Sequence, residues 1–128
     1  MIVIYGIKQQ LDPIKARLST VIQGCMSQVL GLPESKRAHR FIPMQKEDFY
    51  DPDGRTDAYT VIEINMMEGR QPDTLKKLIK ALFADLEQQL AISNADIEII
   101  IKQQAPHCWG FRGMSGDEAR DLSYNINA

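Results

Sequence analysis

The chain has 128 residues, 44% hydrophobic and 25% charged, with a net charge of −2. That length sets a single domain, 1–128, large enough to bury a core of its own. No basic stretch dominates and no apolar run approaches the ~20 residues of a spanning helix, so nucleic-acid and membrane partners are excluded. Cys25 and Cys108 are too few for a disulfide framework. The opening stretch Met1-Ile-Val-Ile-Tyr-Gly-Ile7 is of strand length and lacks a signal peptide's basic segment, so a cytoplasmic location is expected.

Met1 to Lys8 is rich in β-branched residues and reads as a buried strand. Asp12-Pro13 reads as a helix start, an N-cap oxygen followed by proline at the first helical position. Ile14, Leu18, Val21, Ile22, Cys25, Met26, Val29 and Leu30 then recur at helical spacing, and Gly31 ends the run. Gly24 inside that helix costs about 1 kcal/mol against alanine, and serves either a close backbone approach or nothing at all. Residues 34–58 are polar, with a short strand around Arg40-Phe-Ile42 and a turn at Asp51-Pro-Asp-Gly-Arg-Thr-Asp57. Tyr59 to Met67 alternates as a strand. Pro72-Asp73 opens a second amphipathic helix carrying Leu75, Leu78, Ile79, Leu82, Phe83, Leu86 and Leu90. Asp96 to Lys102 is a fourth strand. The tail, 104–128, holds Trp109 and Phe111 and a helical turn near Gly116–Leu122.

A shift of about 60 positions lays Ile2 on Ile62, Ile4 on Ile64, Leu18 on Leu78, Ile22 on Leu82 and Leu30 on Leu90. These are core positions of a strand and a helix, so the chain is a duplicated βαβ unit, with pseudo-repeats at about 1–43 and 59–103. Right-handed crossovers put both helices on one face of a mixed four-stranded sheet, an α+β two-layer fold. The apolar run Ile97, Ile99, Ile100, Ile101 predicts that the other sheet face is covered by a further subunit.

With this architecture, four local features carry a family likeness: Gly31-Leu-Pro33, Gly54-Arg-Thr-Asp57, Glu68-Gly-Arg70 and Trp109-Gly-Phe111. The chain resembles the tautomerase superfamily of 4-oxalocrotonate tautomerase and macrophage migration inhibitory factor. It is most similar to the single-chain branch of malonate semialdehyde decarboxylase. The resemblance implies a homotrimer with sites near subunit contacts, no cofactor or metal, and catalysis by an N-terminal proline. This sequence departs there: residue 2 is Ile2 and no proline precedes Pro13. Lys36 stands at the position of that branch's aspartate, and Glu68 replaces the first of its two arginines, leaving Arg70.

Arg70, beside a helix start, has the chemistry to grip a carboxylate bidentately; the ordinary alternative is a surface pair with Glu68 or Asp73. The Met1 α-amine titrates near neutrality and becomes a candidate base if buried, though a primary amine replaces a secondary one. Trp109 and Phe111 wall a pocket or simply pin the tail. Lys36, Arg37, His39 and Arg40 form a basic cluster, of which Lys36 and Arg40 are the candidates for facing an anionic ligand, against a solvated loop. Asp51, Asp53 and Asp57 fail the calcium-loop pattern, and the histidines and cysteines lack metal-ligand spacing. The leading expectation is a pocket for a carboxylate-bearing α-keto or enol acid, with tautomerase activity weak or lost. The alternatives are an isomerase or decarboxylase using Met1, and a non-catalytic scaffold.

Overall fold

The structure, a computed structural model, describes residues 1–119. Four strands, β1 (Ile2–Ile7), β2 (His39–Met44), β3 (Thr60–Met67) and β4 (Ile97–Gln104), form one sheet in the order β2-β1-β3-β4. β1 runs parallel to β2 and β3 parallel to β4, while the central pair β1–β3 is antiparallel. The long helices α2 (Lys15–Leu30) and α3 (Pro72–Leu90) follow β1 and β3 as crossovers; a short α1 (Lys8–Leu11) precedes α2. The expected duplicated βαβ unit is therefore present.

The two halves correspond at an interval of 60 residues. Gly31 and Ala91 both close a long helix in the left-handed conformation, at φ 69° and 56°. The 3-10 turns Glu34–Lys36 and Lys46–Asp48 recur as Asn94–Asp96 and Pro106–Cys108. In the central pair Ile2 lies opposite Ile64 and Ile4 opposite Ile62, which is the crossed pairing a local two-fold axis requires. Ile2, Ile4, Ile62 and Ile64 are at most 2% exposed and pack with Leu18, Ile22, Leu78, Leu82 and Leu86 in one core. Each such buried side chain contributes about 1.5–3 kcal/mol. Cys25 of α2 meets its counterpart Asp85 of α3, Sγ to Oδ2 at 3.3 Å. Burial and this carboxylate push the thiol up to about 12, so Cys25 is an inert core group.

Three details differ from the sequence reading. Asp12 does not cap α2: it ends α1, and its carboxylate takes Lys8 at 2.7 Å and Lys15 at 3.1 Å. The short α1 folds Leu11, 1% exposed, back onto Gly6, and that burial outweighs the cap. Gly24 has nothing within 4 Å of where a Cβ would sit, so no backbone approaches there. The tail forms a hairpin, β5 (Gly110–Phe111) with β6 (Met114–Ser115). Its turn residues Arg112 and Gly113 have φ of 52° and 78°, as a two-residue turn of type I′ requires. Of the expected helical turn near Gly116–Leu122, residues 116–119 form turns, with Glu118 and Ala119 bonding back three residues to Ser115 and Gly116, and 120–122 lie outside the described residues.

The pairing register leaves Val3, Tyr5, Val61, Glu63, Ile42, Ile100 and Lys102 on the face away from the helices. Of the β4 isoleucines only Ile100 points there; Ile97, Ile99 and Ile101 pack against the core. Ile42 and Ile100 are 42% and 48% exposed. Tyr5 and Lys102 both reach the Glu63 carboxylate, at 3.2 and 3.3 Å.

Candidate functional site

At the end of the sheet where β1 begins and β3 stops, a half-open cleft of about 530 Å³ lies between α2, the 34–36 turn, the β3–α3 junction and the tail hairpin. All six residues singled out from the sequence border it: Met1, Lys36, Arg40, Arg70, Trp109 and Phe111. Its apolar surface comes from Met26 and Leu30 of α2, from Leu32 just after it, and from Met66 and Met67 of β3.

Each polar group arrives there for a local reason. Arg70 follows Gly69, whose φ of 137° only glycine adopts easily, and precedes the start of α3. Its side chain is 8% exposed, with Nη1 3.7 Å from the Met66 sulfur. Met1 extends the central ladder: its amine donates to the Asn65 carbonyl at 3.0 Å, and the Asn65 backbone N–H and side-chain amide donate back to the Met1 carbonyl at 2.9 and 3.2 Å. Burial first, and Arg40 second, hold this amine below its usual value of 8.0. Both causes favour the neutral form.

The basic cluster divides. Lys36 and Arg40 face the cleft. Arg37 pairs instead with Glu34 and donates to Ser19 Oγ, 3.3 Å away. His39 lies on the helix side of β2, its Nδ1 2.8 Å from the same Ser19 oxygen, and does not line the cleft. Burial, Arg37 and the terminal amine lower its pKa to about 4, with Glu34 opposing.

Two polar contributors escape a reading of the sequence. Arg112, on the hairpin turn with its guanidinium 5.2 Å above the Phe111 ring, also borders the cleft. Asn65 reads as one of the alternating residues of a strand, and only its pairing with Met1 brings it to the site. The available signal for Arg112 was the Arg112-Gly113 pair between two short apolar segments, a weaker hairpin signature than Asn-Gly. The lining thus holds four side-chain cations, Lys36, Arg40, Arg70 and Arg112, and no carboxylate from the described residues. An anion entering this partly enclosed space meets donors on several sides.

The matching end of the first repeat is closed. There Leu11 packs on Gly6, and Asp96 holds the 51–57 turn through Thr56, at 2.8 Å to its N–H and 2.6 Å to its hydroxyl. What remains is a pocket of about 260 Å³ containing the Lys46–Asp57 ion pair. Among the described residues no group of His, Cys, Asp or Glu is placed to hold a metal ion. No helix there is long and apolar enough to cross a membrane.

A family model described as a tautomerase enzyme matches residues 36–112, more than half of the chain. The chain belongs to this tautomerase family. The matched span runs from Lys36 to Arg112 and so includes every cleft cation. Solved structures of the same fold include malonate semialdehyde decarboxylase, 19% identical over 89% of this chain and 92% of that one, with a TM-score of 0.79. A native fused 4-OT is 18% identical over 91% and 95%, with a TM-score of 0.80. A member of the cis-3-chloroacrylic acid dehalogenase family is 10% identical over 89% and 81%, at 0.78. At these identities the likeness shows a fold shared by tautomerase, decarboxylase and dehalogenase relatives.

Proposed function

We propose that the cleft binds a small carboxylate-bearing ligand of the α-keto or enol acid class, with tautomerase activity weak or lost. The observation that carries this reading is the convergence of four side-chain cations, without an acidic residue among the described ones, on one cleft with an apolar floor. Arg70 takes the carboxylate, Lys36 and Arg40 draw the anion in from the rim, and Trp109 and Phe111 bound its body. The loss of activity follows from Ile2 at the second position and the lack of any proline before Pro13. The protein works in the cytoplasm as a homotrimer without a cofactor; a fused 4-OT of the same fold forms an asymmetric trimer.

Thermal unfolding with a panel of 2-keto acids tests the reading. A ligand at a hundredfold excess over its Kd stabilises by about 2.7 kcal/mol, and Arg70→Ala should weaken binding tenfold or more. No shift in melting temperature with any acid in the panel would rule the pocket out and favour the scaffold alternative.

A second reading has its own support in the Met1 amine, which borders the cleft and is held below its usual pKa. A neutral amine beside bound enol acid is a base, and the protein is then an isomerase or decarboxylase. Ketonisation of phenylenolpyruvate decides this: equal background rates for wild type and Arg70→Ala exclude it.

A further inference from the structure

Resting on the carboxylate reading above, we infer that the Met1 α-amine is a nucleophile that captures 2-oxo acids in the cleft as a covalent imine. The nitrogen stands where β1 begins, at the end of the sheet that opens into the cleft, and Met1 borders that space with Lys36, Arg40 and Arg70. It is within reach of a ligand: Met1 is 50% exposed, and its amine bonds to the Asn65 carbonyl at an exposed position. It is also held. Asn65 accepts one N–H through its carbonyl at 3.0 Å and grips the Met1 carbonyl with its backbone N–H and side-chain amide. A neutral amine held in this way keeps its lone pair turned away from the Asn65 oxygen, where a carbonyl carbon can meet it.

Two features make this amine more reactive than an ordinary terminus. Burial, and then Arg40, hold it below 8.0, so more of it is neutral near pH 7, and only the neutral amine attacks. The cleft cations bring the ligand's carboxylate to the same space, which raises the effective concentration of the adjacent C2 carbonyl at the nitrogen. The step needs no oxidant or reductant. Nitrogen bonds to C2, the C2–O bond breaks, and the oxygen leaves as water with the two amine protons. A solvent proton then gives the protonated imine. The single N–H of that cation has its acceptor in place, the Asn65 carbonyl that the amine already uses.

The probes are pyruvate and acetone, which share the methyl ketone but not the carboxylate, each with cyanoborohydride to reduce an imine to a stable secondary amine. Peptide mass spectrometry then locates the label. Pyruvate should label the Met1 nitrogen at least about tenfold faster than any lysine, whereas acetone should favour Met1 far less. Arg70→Ala should cut the pyruvate rate at Met1 by about tenfold. Label that appears first on Lys36 or another lysine overturns the inference. So does an equal preference for Met1 with both ketones, or a pyruvate rate that Arg70→Ala leaves unchanged. Pyruvate that raises the melting temperature yet leaves Met1 unlabelled overturns this inference alone. If no 2-oxo acid shifts the melting temperature and none labels Met1, the carboxylate reading falls first and this inference with it.

Discussion

Neighbouring residues of one short segment take opposite tasks here. Lys36 and Arg40 border the cleft, while Arg37 and His39 turn to Glu34 and Ser19. His39 brings a pH dependence with it. Its folded pKa of about 4 lies below its ordinary 6.5, so between these values the unfolded chain binds a proton that the folded chain refuses. Stability from this residue is complete above pH 6.5 and is lost as pH falls toward 4. For a group still partly exposed the loss is about 1–2 kcal/mol. Urea unfolding at pH 7, 5.5 and 4.5 should show His39→Gln with the flatter profile. Parallel slopes for variant and wild type would show that His39 does not titrate in this way.

At the scale of elements, the ends of the two long helices supply a matched pair of substitutions. Ala91 holds the left-handed position that Gly31 fills in the other repeat, at φ 56°, and a Cβ in that region costs about 1–2 kcal/mol. Ala91→Gly should therefore stabilise by about 1 kcal/mol, with Gly31→Ala destabilising in return. Gly24→Ala should also stabilise by about 1 kcal/mol, since its exposed position leaves a methyl free of neighbours. Urea midpoints measure all three, and a loss of stability in Gly24→Ala would mean that the glycine has a partner. The helices and the four sheet strands were legible because periodicity and the repeat mark the same residues, Ile2, Ile4, Leu18 and Ile22 against Ile62, Ile64, Leu78 and Leu82. The start of α2 was misread because burial of Leu11 outweighs a side-chain cap at Asp12. The tail hairpin was invisible because its strands have two residues each, too short for alternation to register. Arg112 was lost with it. Arg70, Trp109 and Phe111 came from motif positions, Lys36 and Arg40 from a basic cluster and Met1 from its α-amine, and no local pattern could have told that the six border one cleft.

At the scale of the whole molecule, the helices cover one face of the sheet and leave a mixed surface on the other. Ile42 and Ile100 stand exposed there beside the Tyr5–Glu63–Lys102 group. Exposed isoleucines on two outer strands favour association, and the polar group between them fixes how copies align. Both features support the homotrimer proposed above. A carboxylate on this face would have to be desolvated without a partner, which costs several kcal/mol. Light scattering should therefore give a trimer for wild type and a monomer for Ile100→Asp, with unchanged far-ultraviolet circular dichroism. Tyr50→Ala, at a side chain 91% exposed near the Lys46–Asp57 pair, should leave the trimer intact. Wild type eluting as a monomer would end the proposal. A trimer that survives Ile100→Asp would place the interface elsewhere, because a buried aspartate at that site stands opposite Glu63, whose carboxylate already holds Lys102 at 3.3 Å.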